Sequence, residues 1–153
     1  MSVRLTEEEA WERLAAAHTG IFTTLSSAGW PVSLPVWFVV HERAIYVRTP
    51  ARAKKLARIR RDDRGCFLVE RGEQWAELAA VELPVRATVV EDGGLTDRLS
   101  EQFDAKYGGF RTSRRELPSA TRSHYSGMTL VRLVPAGELI SWDNSRIRLA
   151  AGS

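Results

Sequence analysis

Between residues 20 and 49 the chain carries three apolar runs joined by connections too short to cross a sheet. GIFTTL (20–25) and PVSLPVWFVV (31–40) flank Ser26-Ser27-Ala28-Gly29-Trp30, and His41-Glu42-Arg43 leads into AIYVRT (44–49). A parallel pair needs a crossover of a dozen residues or more, so these runs have to pair antiparallel. CFLVE (66–70) follows Gly65, then a longer β region from about Trp75 to Val90, then MTLVRLV (128–134) and ELISW (138–142). Pro84 inside the longer region suggests a bulge or an edge. At least six strands with short turns describe a mainly β (α+β) fold, a small antiparallel barrel with helices packed outside. A chain of 153 residues suffices for one such domain with a real core.

Two amphipathic helices are expected. Thr6-Glu7-Glu8-Glu9 has the form of a capping box, with Leu5 placed as a hydrophobic staple, and the spacing of Ala10, Trp11, Leu14 and Ala15 predicts a helix over 6–17. Leu99, Phe103 and Tyr107 recur every fourth residue and Gly108 stands as a stop, which predicts a helix over 95–107. Residues 108–126 lack periodicity and read as a long loop.

The stretch TPARAKKLARIRRDDR (49–64) predicts a third helix as the crossover between the third and fourth strands. Thr49 is a good N-cap and Pro50 falls at the first helical position. Seven of these sixteen residues are basic. Arg52, Lys54 and Lys55 then lie at the helix start, where the dipole is already positive. Free backbone N–H groups there, together with these side chains, make an anion site. A solvated, solubilising face is the other reading, and charge alone leaves the two evenly matched. Arg58, Arg60, Arg61 and Arg64 lie towards the helix end, where cations are expected.

Other chemistry is sparse. His18, His41 and His124 sit at element ends or in turns, none at metal-ligand spacing. G-x-S-x-G, P-loop and G-x-G-x-x-G patterns are missing. Cys66 is the only cysteine and reads as a small buried hydrophobe. Glu77 and Glu82, five apart in a strand, point to opposite faces and make a poor acid–base pair. An enzyme of this composition would take its chemistry from a bound cofactor. PVWF (35–38) offers an apolar wall and free backbone groups to a planar ring, with Trp37 and Phe38 on opposite faces and Phe38 in the core. Trp142, in SWDNSRI (141–147), could pack in an interface or over a ligand. The start MSVRLTEEEA lacks the layout of a signal peptide and no apolar run reaches membrane-spanning length, so a cytoplasmic protein is expected.

TTLSSAGWPVSLPVWFVV, IYVRTPARAKKLARIRRDDRGCFLVE, VELPVRATVVED and SWDNSRI together resemble the pyridoxamine 5′-phosphate oxidase-like split β-barrel family. The closest resemblance is to its flavin- and deazaflavin (coenzyme F420)-dependent oxidoreductases. The likeness covers most of residues 18–148. It implies a split barrel that forms a homodimer with two cofactor sites at the interface. It also implies an F420 or FMN cofactor whose phosphate is held by Thr49, Lys54 and Lys55, with Arg52 beside them. The Ser33–Trp37 strand (Ser33, Pro35, Val36, Trp37) would run along the ring, and Trp142 would approach from the partner. Catalysis would be hydride transfer between the ring and a small organic substrate, with no side-chain base. Three positions depart from the family pattern. Leu34 replaces an Arg common in flavin-binding oxidases, which weakens FMN relative to the deazaflavin and argues against pyridoxamine phosphate oxidase activity. Arg86-Ala87 replaces Gly-Ala, and Arg146 replaces a Lys. The substrate pocket falls to the 108–126 loop, with Arg111, Arg114, Arg115 and Tyr125 as candidates. Two rival functions remain at this stage: a non-catalytic flavin, deazaflavin or haem binder, and nucleic-acid binding through KKLARIRR. Aromatics are not interleaved with that basic run, which counts against nucleic acid.

Overall fold

The computed structural model describes residues 2–124 and 127–148, without the side chains of Arg114 and of 122–124. Eight antiparallel strands form one sheet: β1 (Gly20–Leu25), β2 (Pro31–Val36), β3 (Phe38–His41), β4 (Ala44–Pro50), β5 (Arg64–Arg71), β6 (Ala79–Val89), β7 (Met128–Pro135) and β8 (Ile140–Asp143). Their order is β2-β1-β5-β6-β7-β4-β3, with β8 pairing β6. Among the described residues the α-helices are α1 (Glu7–Ala16), α2 (Lys54–Arg61), α3 (Gly93–Tyr107) and α4 (Ser119–His124).

The sheet does not close by hydrogen bonds. β2 and β3 are one extended segment broken at Trp37; the first half pairs β1 and the second pairs β4. The two ends of the sheet are thus joined by the chain itself, which leaves a split barrel with one open seam. Tyr107 of α3 fills that seam. Its hydroxyl accepts from the Phe38 N–H at 2.8 Å and has two carbonyls in donating range, His18 O at 2.7 Å and Phe38 O at 2.8 Å. Its ring stacks on Trp37 with centroids 4.5 Å apart and planes 4° from parallel. Lys106 Nζ donates to the same Phe38 carbonyl at 2.9 Å.

Alternation along the strands divides the apolar residues between two layers. Phe22, Phe38, Val47, Phe67, Leu83 and Leu133 fill the barrel, capped by Trp11 and Leu14 of α1 and by Leu56 and Ile59 of α2. A second layer, Val39, Tyr46 and Leu130, lies under Leu95, Leu99, Phe103 and Tyr107 of α3. Burying each large side chain contributes about 1.5–3 kcal/mol, so these helices are held by packing more than by propensity. The capping box at Thr6 and Glu9 is present. Asp92 caps α3 by accepting from the Leu95 N–H. The β3–β4 hairpin turns on Glu42 and Arg43, both with positive φ (48° and 58°), as a two-residue turn of the right twist requires.

Several boundaries differ from the sequence reading. Strand 31–40 breaks at Trp37. The start of the longer β region, Trp75–Glu77, is a 3-10 helix. Pro84 is neither at a bulge nor on an edge: it pairs in register with Cys66. On its other side the neighbour of β6 switches from β8 (to Glu82) to β7 (from Val85). The missing N–H falls in that gap, where no ladder needs it. Gly108 does not stop α3 by left-handed geometry, since its φ is −53° and the chain continues as a 3-10 turn, Gly108–Phe110. Within 108–124 lie that turn, a second at Arg114–Glu116 and α4. Helices of three and six residues are too short to print a 3.6-residue period.

Candidate functional site: the start of α2

The basic helix begins later than its sequence suggests. β4 runs on through Thr49 and Pro50, which pair with Thr129 and Met128 of β7, and the N-cap is Ala53, which offers no side-chain hydrogen bond. Long-range pairing here overrides a good local capping signal. Thr49 is therefore not a cap. It is 1% exposed, on the inner face with Ile45 and Val47, at the barrel end that α2 covers. Its hydroxyl is buried without a hydrogen-bond partner. Buried polar groups are almost always paired, so this one marks a place where the chain is incomplete.

The first turn of α2 is incomplete in the same sense. It has no acidic residue. Leu56 N–H bonds the Ala53 carbonyl, and among the described residues the N–H groups of Lys54 and Lys55 meet no backbone or side-chain acceptor. Arg52, Lys54 and Lys55 make no ion pair among the described residues. Arg52 and Lys54 are exposed and Lys55 is half-buried. Burial, and secondarily the charge of Arg58, lowers the pKa of Lys55. An anion placed here would relieve the dipole conflict, answer the free N–H groups and offset the like charges of Lys55 and Arg58 together.

The other expected residues do not gather at this point within one chain. β2 is an edge strand with Ser33 and Pro35 exposed, while Val36 is 6% exposed and belongs to the core. Ser33 Oγ bonds Thr23 Oγ1 at 2.8 Å. Trp37 packs on Tyr107 at the seam and Phe38 is in the core, as expected of it. Pro35, Ile21, Leu68, Glu82 and Ile140 form one register row across β2, β1, β5, β6 and β8. Trp142, two residues beyond Ile140, is on the same outer face. It is four strand spacings from β2, about 19 Å, so one chain cannot bring Trp142 onto its own β2.

Other singled-out groups are occupied. Arg86 pairs Asp63 at 2.7 Å. Arg146 pairs Glu9 at 2.9 Å and lies 3.9 Å from Asp143. Arg111 pairs Asp104 at 2.7 Å and Arg115 is exposed; Tyr125 lies outside the described residues. Glu77 caps the 3-10 turn at Gln74, whereas Glu82 accepts from the Cys66 thiol at 2.9 Å, so the two carboxylates do not act together. Cys66 is partly buried, on the outer face, rather than fully buried as expected; that partial burial and the Glu82 carboxylate push its pKa up to about 12. Among the described residues no His/Cys/Asp/Glu group could hold a metal, and no helix is long and apolar enough to cross a membrane. Two cavities lie away from α2. One of about 390 Å³ is lined by His18, Val69, Arg71 and Ala80, and one of about 620 Å³ lies between α1 and residues 135–141.

The sequence places Arg58 among the cations expected at a helix end; in the structure it is half-buried, and its Nε donates to Thr24 Oγ1 at 2.8 Å, with Thr24 2% exposed.

Comparison with known proteins gives this arrangement a context. The model of the family described as pyridoxamine 5′-phosphate oxidase matches residues 6–133. No curated protein matches the chain. Among solved structures, the conserved hypothetical protein Rv2991 of Mycobacterium tuberculosis superposes with a TM-score of 0.79 at 24% identity, covering 99% of this chain and 95% of that one. A FAD-binding protein of Mesorhizobium loti gives 0.69 at 14% identity, with 92% and 94% covered. The heme storage protein HutZ of Vibrio cholerae gives 0.69 at 18%, with 93% and 96% covered. At these identities the likeness is one of fold.

Proposed function

This chain belongs to the pyridoxamine 5′-phosphate oxidase family, and we propose that it is an oxidoreductase that holds a phosphorylated flavin, FMN or the deazaflavin F420, at the start of α2. The observation that carries this reading is the pairing of an uncompensated positive helix start with the partnerless, buried hydroxyl of Thr49. Lys54, Lys55 and the two free N–H groups would hold the phosphate, with Arg52 at the rim. Charge-assisted hydrogen bonds of this kind contribute about 1.5–3 kcal/mol each. When bound, the ring supplies hydride transfer; the protein's part is to fix ring and substrate relative to one another.

The same reading assigns the uncovered outer face of β2, β1, β5, β6 and β8 to a second copy of the chain. Trp142 of one copy would then approach β2 of the other, which it cannot do within one chain. Light scattering should give twice the chain mass, and a monomer at micromolar concentration would refute the interface.

The deciding experiment is titration of the protein with FMN and with F420 side by side, followed by turnover of the reduced cofactor with small acceptors. Binding of neither would sink the reading. Tight binding with no faster reoxidation than in free solution would favour the second reading, a non-catalytic flavin or haem binder, to which the fold likeness to HutZ lends weight.

A further inference from the structure

We propose that Arg58, held in place by Thr24, is a third cation of the phosphate clamp; this rests on the proposed site at α2. Three observations carry it. First, Arg58 is half-buried and makes no ion pair among the described residues, although Asp62 and Asp63 follow closely; those two pair Arg64 and Arg86. Second, its Nε is spent on the buried Thr24 hydroxyl of β1. That bond fixes the guanidinium while leaving its other N–H donors outside the bond to Thr24. Third, Arg58 stands three residues after Lys55 and four after Lys54, so it neighbours each of them on the helix surface. Helical side chains lean back towards the N-terminus, and four residues span only about 6 Å along the axis. That lean would bring the Arg58 side chain back over the turn that opens the site. Its charge is felt there, since it is the second cause of the lowered Lys55 pKa.

The arrangement also fits a class of ligand. Lys54, Lys55 and Arg58 with a helix start carry a surplus of positive charge, and a terminal phosphate, at about −1.5 to −2 at pH 7, offsets more of it than a singly charged group does. A carboxylate, with one charge, would leave most of this cluster unbalanced. Arg60 and Arg61 do not share the role: Arg60 is exposed, and Arg61 donates to the Leu25 carbonyl at 3.2 Å.

The test uses FMN and riboflavin, which share a ring and differ in the phosphate, on the wild type and on Arg58→Gln, Arg58→Lys, Thr24→Val and the Lys54→Ala/Lys55→Ala pair. Arg58→Gln should weaken FMN about tenfold or more and leave riboflavin unchanged. Arg58→Lys should recover most of that loss, and Thr24→Val should cost less than Arg58→Gln. An Arg58→Gln protein that keeps the wild-type ratio of FMN to riboflavin affinity overturns the proposal, as does equal weakening of both ligands, which would mean a packing role. If the lysine pair abolishes the preference for FMN while Arg58→Gln does not, the site stands and the role of Arg58 falls. If the lysine pair also keeps the preference, or the wild type shows none and does not bind F420 either, both fall; a wild type that takes only F420 is read with the same variants on F420 affinity.

Discussion

Two regions of this molecule handle charge in opposite ways. Around Asp143, 2% exposed, every cation has a carboxylate within 4 Å. Arg13 Nη2 donates at 2.7 Å, Arg71 lies at 3.5 Å and Arg146 at 3.9 Å, while the Ser145 hydroxyl and N–H also bond its carboxylate. Glu9 takes the remaining charge of Arg146, and the backbone N–H of Asp143 ties β8 to the Val3 carbonyl. Around the start of α2, charges accumulate without counter-charges and a buried hydroxyl goes unanswered. The first region is complete within the chain and serves the fold. The second lacks counter-charges and a partner for that hydroxyl among the described residues, which is what the proposed ligand would supply. An unsatisfied cluster costs stability, and a fold that keeps one is pointing at a ligand.

The comparison breaks first at its strongest point. Asp143→Ala should destabilise the protein by about 3 kcal/mol in denaturant unfolding, because it strands charges that the carboxylate now partners; a loss below about 1 kcal/mol would show that the ion pairs are redundant. Burial pushes the Asp143 pKa up, but hydrogen bonds from Ser145 and Arg13 outweigh it and bring it to about 2. That lies below the ordinary value near 3.9, so the stabilisation is fully present above about pH 4 and is lost as pH falls through 2. The variant should lack that part of the acid limb.

Tyr107→Phe comes next. It leaves the Phe38 N–H unanswered at the barrel seam, which should cost about 1–3 kcal/mol with little change in helix content. At α2 the sign should reverse. Lys54→Ala/Lys55→Ala should leave the ligand-free protein as stable as before or raise it by up to about 1 kcal/mol per charge, as read from thermal unfolding. A clear loss would mean that the lysines serve the fold after all. Thr49→Val should be smallest: no loss of ligand-free stability, since a partnerless hydroxyl is removed, yet weaker FMN binding.

Much of the fold was legible from hairpin spacing and capping. GIFTTL, AIYVRT and the Thr6-Glu9 box stand where the sequence put them, because turns and caps are local. What could not be read depends on partners distant in sequence. Thr49 looks like a cap until β7 claims it. Pro84 looks like an edge until the switch from β8 to β7 is seen, and Trp37 breaks its strand because two different neighbours pull its halves apart. Of the candidate site, the basic start of α2 is readable as misplaced charge and PVWF as a wall for a planar ring, while Ser33 and the approach of Trp142 from a partner follow only from family resemblance. The bond that half-buries Arg58 was not legible because its partner Thr24 sits on β1, thirty-four residues away.

The account turns on the claim that α2 begins at a phosphate site. Its most direct test is the thermal shift produced by FMN against that produced by riboflavin, on the wild type and on the Lys54→Ala/Lys55→Ala protein. A ligand at a hundred times its Kd stabilises by about 2.7 kcal/mol. FMN should therefore raise the wild-type Tm clearly more than riboflavin does, and the two shifts should become equal in the double variant. An FMN shift that survives in the double variant at its wild-type size would contradict the account.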